Sequence, residues 1–195
     1  IDMRKRRSVK IIPLGGLGEI GKNITAIEYE NEIIVIDCGI SFPDEDMYVV
    51  DLVIPDVTYL IENKDKVKGL FLTHGHEDHI GAIPYILKQI NMPIYGTRLT
   101  LGLVGNKLEE HKMVDMVTIY PVESGDIVAF EKIKVEFIKA THSIADACSL
   151  AITTPLGVII HTGDFKIDYT PIDGRVMDLN RLSTLGKKGV LLLLA

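Results

Sequence analysis

Short apolar runs recur along the chain, separated by glycine, proline and acidic turns, which is the pattern of buried strands interleaved with helices. Residues 9–14 open as a strand, residues 24–29 alternate as a second, and Asn31 marks a turn into a third over 33–38. Residues 67–72 form a compact apolar run suited to a buried strand. Downstream, residues 80–87 return apolar side chains at helical spacing. A short helix is predicted over 55–63, a strand over 93–96 and a longer helix over 98–111. Strands follow near 117–122, 127–130 and 133–140. Residues 147–154 and 157–160 read as a hairpin turning at Pro155-Leu156-Gly157. A helix over 177–185 precedes a last apolar run, 189–195, that reads as a core strand. Because the chain stops inside that run, and a bare apolar edge invites aggregation, the expectation is the front portion of a longer protein. The outline is a layered α/β domain over 9–195, preceded by a basic tail over 1–8.

The glycine run Gly15-Gly16-Leu17-Gly18-Glu19-Ile20-Gly21 contains a formal Gly-x-Gly-x-x-Gly. A dinucleotide fingerprint needs a helix next, and a strand follows instead, so the cofactor reading fails on context. The run is expected as a hairpin loop beside the functional site, with Asn23 a weak contact.

Chemistry concentrates in Thr73-His74-Gly75-His76-Glu77-Asp78-His79-Ile80-Gly81, between a predicted strand and a predicted helix. In an extended turn His74 and His76 point the same way and can grip one cation. Asp78 and His79 come as the chain enters the helix and suit a second cation nearby. Imidazole with carboxylate fits zinc, manganese or iron rather than calcium. A strand over 133–140 delivers His142, the obvious third imidazole. Ser143 beside it lacks the glycine-flanked elbow of a nucleophile. Asp164, just past a strand and next to Gly163, is placed to bridge two cations. His161 would face away from it, as a packed residue or the partner of a ligand. Asp37, on an apolar strand, must find donors, and is either a turn residue or a carboxylate that orients a metal ligand; its place at a strand end favours the second role. His111, in a charged helix end, is expected to be solvated and no ligand.

Composition narrows the setting. With 195 residues, 47% hydrophobic and 25% charged, the chain can bury a core and is not disordered. A net charge of −6 gives no bulk attraction to nucleic acid. The basic run Arg4-Lys5-Arg6-Arg7 is a local exception and reads first as a solvated terminus. Two cysteines without a Cys-x-x-Cys pair suit a reducing, cytoplasmic setting, and no segment reads as a signal peptide or a membrane span.

Asp37, His74-x-His76-x-Asp78-His79, His142 and Asp164, in this order and at strand ends, resemble the metallo-β-lactamase fold. More narrowly, residues 14–23, 53–56, 73–81, 107–111, 141–143 and 161–166 look like the bacterial ribonuclease J family of the β-CASP branch. The resemblance implies a four-layer αβ/βα sandwich, incomplete here, with a two-metal site along one edge. It implies that His74, His76 and His142 hold one metal, that Asp78 and His79 hold a second, that Asp164 bridges both, and that Asp37 supports them. It further implies two divalent ions, zinc or manganese, and RNA as substrate, with a 5′-monophosphate end favoured. Exonuclease and endonuclease activity in mRNA turnover and rRNA maturation would follow, in a homo-oligomer or a hetero-oligomer of paralogues, with no membrane partner. The family's β-CASP insert, its 5′-phosphate pocket, a further histidine ligand and a region that helps assembly would lie beyond residue 195. The family pattern also expects glycine at Val50 and a basic residue at Gly105. Two alternatives are a small-molecule hydrolase of the glyoxalase or lactonase kind and a non-catalytic paralogue serving as a subunit.

Overall fold

The computed structural model describes residues 7–43 and 48–195. Most of the basic run (residues 4–6) and of the acidic loop after Pro43 (residues 44–46) falls outside the described residues. Two sheets stack face to face. The first has six strands: β1 (Val9–Gly15), β2 (Ile24–Tyr29), β3 (Glu32–Ile36), β4 (Val67–Phe71), β5 (Ile94–Gly96) and β6 (Ile119–Pro121), side by side in that order. β1, β2 and β3 are antiparallel, and β3 to β6 run parallel. The second sheet is ordered β11 (Leu192–Leu194), β10 (Gly157–His161), β9 (Cys148–Thr154), β8 (Lys134–Lys139), β7 (Ile127–Ala129), antiparallel except for β10 and β11.

Alternation along β3 shows how the layers arise. Every residue of this strand is buried, but successive side chains take opposite faces. Ile33 and Val35 join a core shared with α1 (Thr58–Glu62), α2 (Glu77–Ile80), α3 (Ile83–Leu87) and α4 (Arg98–Glu110). Ile34 and Ile36 join the core between the sheets, with Phe71, Phe137, Leu150 and Ile152. In α4 the buried Leu101, Val104 and Leu108 fall at helical spacing, so one face closes the first core. On the outer side of the second sheet, α5 (Leu179–Lys188) covers Ile138, Ala151 and Ile160 with Leu185. Asp178 caps α5 by accepting from the Arg181 N–H at 2.9 Å. The order is therefore helix, sheet, sheet, helix.

Buried acids tie parts of this frame together. Glu32 accepts from the backbone N–H groups of Glu131, Lys132 and Ile133 at 2.8–2.9 Å, joining the end of the first sheet to the β7–β8 turn. Glu28, equally buried, accepts from Lys10, Lys66 and the Tyr59 hydroxyl.

Three expectations are corrected. The helix predicted over 55–63 starts only at Thr58. β3 stops at Ile36 instead of reaching Cys38, because Asp37 takes a left-handed backbone (φ 58°) that no strand accommodates. Of the run over 189–195 just Leu192–Leu194 form a strand, β11: among the described residues it pairs with β10 alone, so Leu194 packs against the core between the sheets while Leu191 and Leu193 are more than half exposed.

Candidate metal centre

The chemistry-bearing residues gather at the carboxyl ends of β3, β4, β8 and β10, along one rim of the sandwich. After β4 the chain bends at Thr73, is extended at His76 (φ −74°, ψ 154°) and then enters α2, so His76 projects from extended backbone and Asp78 and His79 from a helical turn. Backbone hydrogen bonds clamp that turn. Cys38 N–H donates to His79 O at 2.7 Å, Ala82 N–H to Cys38 O at 3.0 Å and Asn23 N–H to Asp78 O at 3.1 Å. The approach leaves no space for a side chain at position 39: a Cβ on Gly39 would lie 1.6 Å from Asp78 O.

Six side chains converge. His74 Nε2 is 3.1 Å from His76 Nδ1, which is 3.3 Å from His142 Nε2. His79 Nε2 lies 3.5 Å from Asp78 Oδ2 and 3.5 Å from Asp164 Oδ1. The other oxygen of Asp164, Oδ2, is 3.6 Å from His142 Nε2, so this carboxylate presents one oxygen to each half of the cluster. His74, His76 and His142 form one set of donor atoms close enough for a single ion, and His74, His79 and Asp164 form another. His74 is thus common to both sets, which its spacing along the chain did not suggest.

These separations fit a cation. Tetrahedral zinc with metal–nitrogen bonds of about 2.0–2.1 Å places neighbouring ligand nitrogens about 3.3 Å apart, and the three imidazoles already stand at 3.1 and 3.3 Å.

Asp37 braces the cluster from behind. It is 1% exposed, and its Oδ1 accepts from Thr73 N–H while its Oδ2 accepts from the Thr73 hydroxyl and from His79 Nδ1, each at 2.8 Å. The Thr73 hydroxyl has one proton. Having given it to Asp37, it can only accept from His74 Nδ1, 3.0 Å away. His74 and His79 both carry a proton on Nδ1 and turn Nε2 towards the cluster. Thr73 was not singled out beforehand, and a hydroxyl next to the first histidine was the available signal. Asn23 was expected only as a weak contact. Its Nδ2 lies 3.1 Å from Asp78 O, 3.3 Å from Asp78 Oδ2 and 3.2 Å from His79 Nε2.

The electrostatics are those of a cation trap. Burial, with the charge on His79, pushes His74 down to about 4, and burial also lowers His142. Both are neutral near pH 7, the form that binds metal. Burial alone would lower His79 too, but the charge of Asp37 and hydrogen bonds with Asp164, Asp37 and Asp78 hold it up at about 12. The hydrogen bond with His79 brings Asp164 down to about 2 and lowers Asp78. Burial would raise Asp37, yet His79 beside it leaves it below the usual carboxylate range. Three carboxylates thus face one imidazolium.

Two further histidines take other roles. His161 accepts from Gly163 N–H through Nδ1 at 3.1 Å, and burial lowers its pKa. His111, expected to be solvated, is instead half-buried and packs edge-on against Tyr85 with ring centroids 5.1 Å apart.

Residues 17–184 match the family model described as the metallo-beta-lactamase superfamily. The chain belongs to that superfamily. It is 53% identical to ribonuclease J of Synechocystis over 97% of its own length and 30% of that protein's. It is 50% identical to ribonuclease J 1 of Streptococcus pyogenes over 98% of its length and 34% of that protein's. The chain therefore spans about a third of the length of these curated relatives. Among solved structures, the metallo-beta-lactamase fold protein YhfI from Bacillus subtilis superposes with a TM-score of 0.56 over 82% of this chain and 63% of that one, at 14% identity. At that identity the likeness speaks for the fold alone, and it agrees with the two-sheet sandwich. No helix among the described residues is long and apolar enough to cross a membrane.

Proposed function

We propose that the chain is the catalytic portion of a metal-dependent ribonuclease that attacks phosphodiester bonds of RNA, as a 5′-to-3′ exonuclease and as an endonuclease. The observation that carries this reading is the convergence of His74, His76, Asp78, His79, His142 and Asp164 on one rim, in a chain about half identical to proteins named ribonuclease J. His74, His76 and His142 would hold one divalent ion, zinc or manganese; Asp78 and His79 would hold a second, with Asp164 between them. When bound, such a pair lowers the pKa of a water towards neutrality and stabilises charge on phosphate oxygens.

The chain's own residues do the rest. Thr73 and Asp37 keep the Nε2 atoms of His74 and His79 turned to the cluster, so no rotamer search precedes reaction. Asp78 and Asp164, partly open to solvent, present negative charge that would repel RNA until cations offset it. Binding of RNA and binding of metal are in this way coupled, and a chain of net charge −6 needs that coupling. A 5′-monophosphate end as the favoured substrate, roles in mRNA turnover and rRNA maturation, a β-CASP domain in the intact protein, a cytoplasmic location and assembly into oligomers belong to the same reading.

The test incubates the intact protein with 5′-monophosphorylated and 5′-triphosphorylated RNA, with manganese or zinc and with chelator. Faster degradation of the monophosphorylated RNA, abolished by chelator and restored by metal, is expected. Equal indifference to all four conditions overturns the reading.

A further inference from the structure

We infer that Asn23 is a positioning residue for the second cation, holding the Asp78 carboxylate at the face where that cation would sit. The inference rests on the two-cation reading above. Asn23 ends the glycine loop between β1 and β2, 55 residues before Asp78, and it meets Asp78 through both backbone and side chain. The backbone alone is enough to dock the loop: Asn23 N–H donates to Asp78 O at 3.1 Å, and Gly39 N–H donates to Asn23 O at 3.1 Å. The side chain adds something else. Its Nδ2 reaches Asp78 O at 3.1 Å and also Asp78 Oδ2 at 3.3 Å, the same carboxylate oxygen that lies 3.5 Å from His79 Nε2.

The amide cannot be turned over. Asp78 O and ionised Oδ2 only accept, so the atom between them must be the NH2 group. Its two protons match these two acceptors. The amide oxygen is housed on the other side by Gly16, where a Cβ would stand 2.6 Å from Asn23 Oδ1. Among the described residues, Asn23 is the neutral side chain that donates to the Asp78 carboxylate. Without Asn23 this partly exposed carboxylate is free to choose other rotamers, and only the second cation, not the three-histidine position, would lose a ligand.

Partners that orient metal ligands typically contribute about 10–100-fold to affinity. The experiment measures manganese binding by calorimetry, and by electron paramagnetic resonance at two equivalents, for the unaltered chain, Asn23→Ala and Asn23→Ser. Neither variant touches the two backbone bonds, and Asn23→Ser carries the test if the alanine variant fails to fold. The first binding step should be unchanged within about threefold, and the second should weaken at least 10-fold. The exchange-coupled signal of a manganese pair should give way to that of an isolated ion. A merely structural role for Asn23 would shift both steps alike, and that result, or no shift in either, overturns the inference. Uptake of one ion only by the unaltered chain would overturn the two-cation reading and take this inference with it.

Discussion

Replacing Asp37 with asparagine keeps its shape and reverses the logic of the hydrogen bonds behind the cluster. The carboxylate now accepts three bonds of 2.8 Å, from Thr73 N–H, the Thr73 hydroxyl and His79 Nδ1. In Asp37→Asn the amide oxygen can keep Thr73 N–H, which leaves the NH2 group facing the other two. The Thr73 hydroxyl must then accept, so it donates to His74 Nδ1; His79 Nδ1 must likewise accept. Both imidazoles are driven to the tautomer with the proton on Nε2, the atom that faces the cluster, and neither could then offer a lone pair to a cation there. Charge-assisted hydrogen bonds contribute about 1.5–3 kcal/mol each. With all three re-formed in weaker neutral form, at a loss of about 1 kcal/mol each, the metal-free fold should lose about 3 kcal/mol. For a chain of this size that is a fall in Tm of roughly 6–12 °C. Metal affinity should drop about 10–100-fold. Calorimetric scanning of the metal-free protein, together with metal content after gel filtration, reads both effects. A folded Asp37→Asn variant that holds the same metal at the same affinity would refute the tautomer argument.

Three other outcomes are expected. His74, held down at about 4, takes up a proton on unfolding, so the stability of the metal-free chain should fall as pH drops from about 6.5 towards 4. His79, held up at about 12, has the opposite sign: its contribution is complete below about 6.5 and is lost as pH rises towards 12. Urea titrations across pH should therefore show a maximum near 6–7, and a monotonic rise above pH 7 would contradict it. Because a cation must displace the Nε2 proton of His79, filling its site should release about one proton near pH 7, detectable as a dependence of the binding heat on the buffer's ionisation enthalpy. Gly39→Ala places a methyl against Asp78 O and should cost at least about 2 kcal/mol and weaken metal binding, whereas Phe71→Ala should cost about 3–5 kcal/mol with metal affinity preserved in the folded fraction.

How far the residues announced this arrangement depended on how local each signal was. Strands such as 24–29 and 67–72 carry their period and their turn residues within a few positions, and β2 and β4 appear where expected. The histidine turn is equally local. The last apolar run was less informative, because hydrophobicity cannot tell a strand with cover on both sides from one at a sheet edge; among the described residues β11 neighbours β10 alone. Thr73 and Asn23 were harder to see, since a hydroxyl or an amide acquires a role only from what folding brings to it. Asp37 reaches Thr73 and His79 across 36 and 42 residues, and Asn23 reaches Asp78 across 55. No spacing rule connects positions so far apart. The sharing of His74 between two donor sets is likewise a property of ring placement, with the His74 and His79 centroids 4.0 Å apart.

On the function proposed above, one rim of this sandwich would take up a pair of cations. Anomalous diffraction from crystals loaded with manganese or zinc tests it most directly. Two peaks about 3.5–4 Å apart are expected, one among His74, His76 and His142, the other beside Asp78 and His79, with Asp164 between them. No peak at this rim, or a peak only at some other part of the surface, would contradict it.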